Sequence, residues 1–304
     1  MNYQPKNKTL IVIAGPTAVG KTDTAIRLAN HYHTVVVSAD SRQFFREMSI
    51  GTAKPSADEL AAAKHYFIDS NSITESFSVG DFEKEALALL DELFKQHDVV
   101  ILAGGSGLYI KAVCEGFDDL PTADLGIRHR LNQDFTEKGI HYLQEQLKAA
   151  DPYYYALFDL NNPQRLIRAL VVFETTGKSF SSFRTSAINK RPFNIIKFGL
   201  NLPREILYQR INQRVDIMVE QGLIDEVKAL LPYRHLNALN TVGCRELFDY
   251  FDGTIDLNRA IELIKQNTRH FAKRQLTWFN KDKEFIWLEP GDVEKMVEVI
   301  DQQL

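Results

Sequence analysis

Apolar positions in this chain fall into two textures. Short unbroken runs at Leu10–Ala14, Val35–Val37 and Val99–Ala103 are bounded by glycine, proline or polar residues and predict buried strands. Between them, apolar residues recur at helical spacing. This predicts helices over Lys21–His31, Ala57–Ala63 and Val79–Gln96, the last with Phe82, Ala86, Leu89, Leu90 and Leu93 on one face. His65–Asp69 reads as a further short strand. Strand and helix in alternation imply a parallel sheet covered on both faces, with ligands at the carboxyl ends of the strands. After Gly116 the texture changes to helices alone, at 123–138, 140–149 and 162–175. A strand pattern resumes at Ile195–Asn201. Helices over Pro203–Glu220, Gly222–Leu231 and Ile255–Lys281, a strand at Phe285–Leu288 and a closing helix complete the expected order. The expected division is therefore an α/β core of residues 1–115 and 196–304, interrupted by an all-helical insertion over 116–195.

The first strand runs into Gly15-Pro16-Thr17-Ala18-Val19-Gly20-Lys21-Thr22, which fits G-x-x-x-x-G-K-[ST] between a strand and a helix. In that context the loop's N–H groups converge on an anion, and the helix adds its positive end. Lys21 supplies a point charge, and the Thr22 hydroxyl is placed to ligate Mg2+ held by phosphate oxygens. The expected fold class is thus a P-loop NTPase-like parallel sheet with helices on both faces, binding a group with two or more phosphates.

Composition narrows the setting. The chain has 304 residues and a formal charge of −4, with no global nucleic-acid signature. Charge is segregated, however. Ten Lys or Arg lie between Leu160 and Val215 against Glu174 and Glu205, which reads as a local polyanion footprint unless it is an ordinary solvated surface. Cys114 and Cys244 have no disulfide or zinc spacing and read as small buried hydrophobes. Without a leader-like or spanning apolar segment, a cytoplasmic protein with no membrane association is expected.

The class of chemistry hinges on the strand ends. Val99–Ala103 runs into Gly104-Gly105-Ser106-Gly107, where a nucleotide switch or motor usually carries a metal-binding aspartate, and no N-K-x-D occurs. The carboxylate nearest the P-loop in the pattern is Asp40, in Asp40-Ser41-Arg42-Gln43. It is placed to accept a proton from an acceptor approaching the phosphates, or else to cap a turn. Group transfer is favoured over motor work.

These segments, with Ile50-Gly-Thr-Ala-Lys-Pro55, Gln164-Arg-Leu-Ile-Arg-Ala-Leu170 and Ala272-Lys-Arg-Gln-Leu-Thr-Trp278, resemble the tRNA dimethylallyltransferase family. This is the bacterial tRNA isopentenyltransferase family, which modifies the adenine 3′-adjacent to the anticodon. The resemblance spans Gly15 to Trp278. It implies an enzyme in which dimethylallyl diphosphate occupies Gly15–Thr22, with Mg2+ as cofactor. Asp40 is implied as general base, with Thr17 and Arg214 contacting the bridging oxygen of the leaving group. Arg210 lies one helical turn from Arg214 and is implied at the diphosphate, a surface ion pair being the ordinary alternative. tRNA contacts are implied at Asp40, Ser41, Arg42, Gln43, Ser106, Arg128, Gln164, Arg165, Leu166, Ile167 and Arg168, and at Asn240, Thr241, Val242, Gly243, Cys244 and Arg245. Leu166 and Ile167 read as core from their apolar character. Ser106 stands where threonine is common, Phe44-Phe45 where a tyrosine often follows, and Cys244 where an aromatic is common. Trp278 and Phe279 could stack on bases but, ending a long helix, are expected in the core. A monomer is expected. A small-molecule P-loop kinase, an AMP-prenylating enzyme and a non-catalytic RNA-binding protein remain alternatives.

Overall fold

The computed structural model describes residues 8–118, 120–121, 124–184 and 189–304. These divide into two compact units. The larger breaks off at Glu115 and resumes from Lys190 to Leu304, and the smaller is Gly116–Asn189.

The larger unit opens with β1 (Thr9–Ala14), α1 (Lys21–His31), β2 (Val36–Ser38), α2 (Ala57–Ala62), β3 (His65–Tyr66), α3 (Val79–Leu93), β4 (Val99–Gly104) and α4 (Gly107–Glu115). The smaller unit supplies α5 (Leu125–Ala150), α6 (Pro152–Leu157) and α7 (Pro163–Thr176). The larger unit then continues with β5 (Asn194–Leu200), α8 (Arg204–Glu220), α9 (Leu223–Ala229), α10 (Cys244–Phe251), α11 (Leu257–Phe279), β6 (Ile286–Leu288) and α12 (Val293–Asp301).

All six strands pair in parallel, in the order β3-β2-β4-β1-β5-β6. Every residue of β1 is buried, because helices cover both faces of a parallel sheet and an alternating pattern would leave polar groups inside. Ile11, Ile13, Ile101 and Phe198 pack on one side with α1, α8 and α12; Leu10, Val12, Val100 and Leu102 pack on the other with α3 and α4. A third cluster joins Val215 of α8 to α9, α10 and α11 and to Phe44, Phe45 and Met48.

β3 stops at Tyr66, short of the expected Asp69, because Phe67 and Asp69 take left-handed φ of 59° and 56° that no strand accommodates. Helices α4, α6 and α10, each under ten residues, have no counterpart in the sequence pattern. In the smaller unit, Asn162 Oδ1 accepts from the Gln164 and Arg165 N–H groups, Pro163 starts α7, and left-handed Gly177 ends it. α5 is broken at Gly139, matching the two helices expected there; the expected start at Ala123 lies outside the described residues.

The insertion expected to end at 195 ends as a compact unit at Asn189. Residues just beyond are tied to the larger unit: Arg191 donates to the carbonyls of Ala112 and Val113 and pairs with Glu83 at 2.8 Å. The expected polyanion footprint is narrower than the ten cations counted: buried Lys197 on β5 pairs with Glu115, Asp282 and Glu284, and Arg191 is engaged as above, so these two are committed within the protein. Nor is the smaller unit basic, holding eight Lys or Arg against nine Asp or Glu.

Candidate active site

In the sheet order β2-β4-β1, the segment after β4 lies between the P-loop and Asp40. This is a crowded junction. A Cβ on Gly104 would lie 2.2 Å from the Ala39 carbonyl oxygen, and one on Gly105 would lie 2.4 Å from Gln275 Nε2. Only glycine lets the backbones approach so closely. Ala39 N–H donates to Ala103 O at 2.8 Å, and Ser41 N–H donates to Ser106 Oγ at 2.9 Å, so β4 holds the Asp40 segment at both ends. Asp40 Oδ1 accepts from Arg42 N–H, and Gln43 bridges Ser38 Oγ to the carbonyls of Thr52 and Ala53. The Ile50–Pro55 loop is fastened again by Glu226 of α9, whose carboxylate accepts N–H bonds from Ser49, Ile50 and Gly51 at 2.8–2.9 Å.

A cavity of about 460 Å³ opens over these strand ends. Thr17, Ala18, Gly20, Lys21 and Thr22 line it from the P-loop, Asp40, Ser41, Arg42 and Gln43 from beyond β2, and Ser106 from beyond β4. Arg214 of α8, the segment Asn240–Gly243, Arg245 and Gln275 of α11 close it. Burial lowers the Lys21 ammonium to about 8; Asp40 opposes that shift and Arg214 adds to it. Lys21 Nζ donates to Pro16 O at 2.8 Å and Gly15 O at 3.1 Å. Arg214 and Arg42 are likewise lowered by burial, opposed by Glu59 for the first and by Tyr109 and Asp40 for the second. Cationic groups gathered out of water around one carboxylate make a receptor for an anion.

Several expected site residues stand elsewhere. Val19 is fully buried, and Arg210 donates to its carbonyl at 3.3 Å, bracing the loop without lining the cavity. Cys244 is buried in the helical cluster with Leu247, where burial pushes its thiol up to about 12. Leu166 and Ile167 are buried in the smaller unit against Leu131 and Leu143; α7 turns them inward, as their apolar character predicts. In that unit Arg168 is lowered by burial and by Arg128 beside it, and among the described residues neither makes an ion pair. Gln164 reaches Asn132 Oδ1 at 3.4 Å. Of the two α11 aromatics, Phe279 is core as expected, but Trp278 is 41 % exposed. Gln275 and Glu226 carry no sequence signal as site residues: Gln275 lies within Ala272–Trp278, yet nothing local marks which buried glutamine reaches a loop 258 residues away.

Among the described residues no cluster of three or more His, Cys, Asp or Glu could hold a metal ion. The oxygens present, the Thr22 hydroxyl with the Asp40 carboxylate on the same cavity, suit a largely hydrated Mg2+ shared with phosphate oxygens. No helix among the described residues is long and apolar enough to cross a membrane.

A glycine loop leaving a central parallel strand, a helix receiving it and a carboxylate at a nearby strand end define a P-loop protein built for group transfer. More narrowly, the chain belongs to the IPP transferase family, whose sequence model matches residues 43–282. It is 56 % identical over 280 residues to a tRNA dimethylallyltransferase of Christiangramia forsetii, covering 92 % of this chain and 93 % of that one. It is 51 % identical to one of Cytophaga hutchinsonii, covering 98 % of each. The fold is similar to the full-length tRNA isopentenylpyrophosphate transferase of Bacillus halodurans, with a TM-score of 0.72 and 38 % identity, covering 97 % of this chain and 96 % of that one.

Proposed function

We propose that this enzyme transfers the dimethylallyl group of dimethylallyl diphosphate to the exocyclic amine of the adenine 3′-adjacent to the anticodon in tRNA, releasing pyrophosphate. The observation that carries the reading is one cavity lined both by a P-loop with its buried Lys21 and by the Asp40 carboxylate. Attack by a weak nitrogen nucleophile needs a proton acceptor beside the diphosphate, and Asp40 lines the cavity that would hold it.

The adenine amine is a poor nucleophile because its lone pair is delocalised into the ring. In the transfer, the N–C1 bond forms and the C1–O bond breaks. The bonding pair goes to the oxygen that joined C1 to the α-phosphate, which departs as a terminal oxygen of pyrophosphate, and the amine proton goes to Asp40. Thr17 and Arg214 contact that oxygen as charge develops on it, while Lys21 and the loop N–H groups hold the terminal phosphate. Mg2+ bound through Thr22 would neutralise further phosphate charge.

The target base must leave its stack to reach Asp40. Asp40–Gln43, Ser106, Asn240–Gly243 and Arg245 border the cavity and are assigned to the extruded nucleotide and its neighbours. In the smaller unit Arg128 and Arg168, neighbouring like charges with no carboxylate partner among the described residues, suit backbone phosphates, with Gln164 and Arg165 on the exposed start of the helix that carries Arg168. One chain supplies every residue invoked, so a monomer suffices, and with tRNA as acceptor the setting is the cytoplasm.

Mass spectrometry of an anticodon stem-loop incubated with the enzyme, dimethylallyl diphosphate and Mg2+ tests the reading. One dimethylallyl group on one adenine, with stoichiometric pyrophosphate, is expected. ATP turnover with an unchanged stem-loop overturns it.

A further inference from the structure

Gln275 has no role in the reaction as drawn, yet its amide joins the two halves of the site. Its Oε1 accepts from the Thr17 N–H at 2.9 Å, and its Nε2 donates to the Gly105 carbonyl at 2.9 Å. The side chain is buried, so both amide groups are satisfied by protein and neither is free for solvent. One peptide further on, Ser106 Oγ takes the Ser41 N–H, beside Asp40. A continuous path of short contacts therefore runs from Thr17, at the leaving-group end, through Gln275, Gly105 and Ser106 to the base.

The loop conformation needs such a tie. Ala18, next to Thr17, sits at φ 64°, a left-handed position that costs a non-glycine residue about 1 kcal/mol and persists only where its surroundings impose it. With its N–H committed to Gln275, Thr17 contributes no backbone donor to the anion cradle; what remains to it is the side chain at the cavity wall. Gly105 is fitted to the same contact, since any Cβ there would meet the Gln275 amide.

We infer that Gln275 is a positioning residue for the transfer, setting the separation between Thr17 at the departing oxygen and Asp40 at the attacking nitrogen. The inference rests on the prenyl-transfer reading and deepens it. Diphosphate affinity resides in Lys21 and the remaining loop N–H groups. Gln275 therefore acts on the alignment of reacting atoms and not on ground-state binding.

Two variants separate this from plain packing. Gln275→Met keeps length and shape but loses both hydrogen bonds. It should lower kcat for stem-loop prenylation by about 10²-fold while leaving KM for either substrate within about threefold. Gln275→Glu keeps the acceptor for Thr17 but loses the donor to Gly105 until it is protonated, when it again matches the amide. Its kcat relative to wild type should rise about tenfold between about pH 8 and about pH 6. Taking the ratio to wild type removes the titrations of Lys21, Asp40, Arg214 and the other ionisable groups on the cavity. Should Gln275→Met fail to fold, the Gln275→Glu ratio decides alone.

A folded Gln275→Met with kcat within about threefold of wild type, a loss confined to KM, or a flat Gln275→Glu ratio each overturns the inference and leaves the proposed reaction standing. A wild-type enzyme that makes no product overturns both.

Discussion

Lys21 donates to two carbonyls of its own loop and is held near a pKa of about 8 by burial. Its folded value lies below the unfolded one, so the desolvation cost is borne in full below pH 8 and relieved as pH rises toward 10.5. Lys21→Met should therefore raise the Tm of the free protein by ~2–4 °C near neutral pH while abolishing pyrophosphate binding, by scanning and titration calorimetry respectively. A bound diphosphate restores the ammonium. Pyrophosphate affinity in the wild type should weaken as pH rises through about 8, and binding near that pH should take up a proton, visible as a buffer-dependent enthalpy. Asp40 carries the opposite expectation. Asp40→Asn should lower turnover by ~10²–10⁴-fold with stem-loop affinity little changed, measured by single-turnover product formation and filter binding. A near-normal rate would remove Asp40 as the base.

Among the elements, the end of β4 has the least freedom. Gly104→Ala would drive a Cβ to 2.2 Å from the Ala39 carbonyl oxygen, a backbone atom that cannot step aside. A loss on the order of 3 kcal/mol in urea unfolding is expected. Gly139 makes the contrast. At φ 76° and ψ 178° it occupies backbone space that is essentially reserved for glycine, but no atom lies within 4 Å of an added Cβ, so Gly139→Ala should cost about 2 kcal/mol, the backbone penalty alone. Element order was legible in these regions because strands buried on both faces are apolar throughout, and long amphipathic helices repeat their pattern. What α4 and α10 bury was not legible. Cys244 opens α10 and faces its neighbours in the core, a direction that the motif preceding it does not encode.

At the scale of the whole molecule, the two ends of the smaller unit lie together. A Cβ on Gly116 would meet Asn189 Nδ2 at 2.4 Å. On the larger unit's side, Arg191 and Lys197 grip Ala112, Val113 and Glu115. Replacing Gly116–Asn189 by a short Gly-Ser link should therefore leave a folded core with wild-type pyrophosphate affinity. The same chain should lose at least about tenfold in stem-loop affinity, because Arg128 and Arg168 are gone. Calorimetry and filter binding on one preparation check both. An unfolded product would show that the larger unit depends on the smaller for stability.

Local chemistry alone specified the P-loop, the parallel alternation behind it and the carboxylate after the second strand. A glycine loop, a buried strand and a helix start are each written within about ten consecutive residues. Charge counted along the chain misled. Lys197 and Arg191 have partners brought by other elements, and no window of sequence shows that a cation is buried. Only the fold could bring Gln275 to Thr17 and Gly105, or Glu226 to the Ile50 turn. Those bonds join residues more than 160 positions apart, and a lone glutamine or glutamate carries no signal of its partner until the chain has closed on itself.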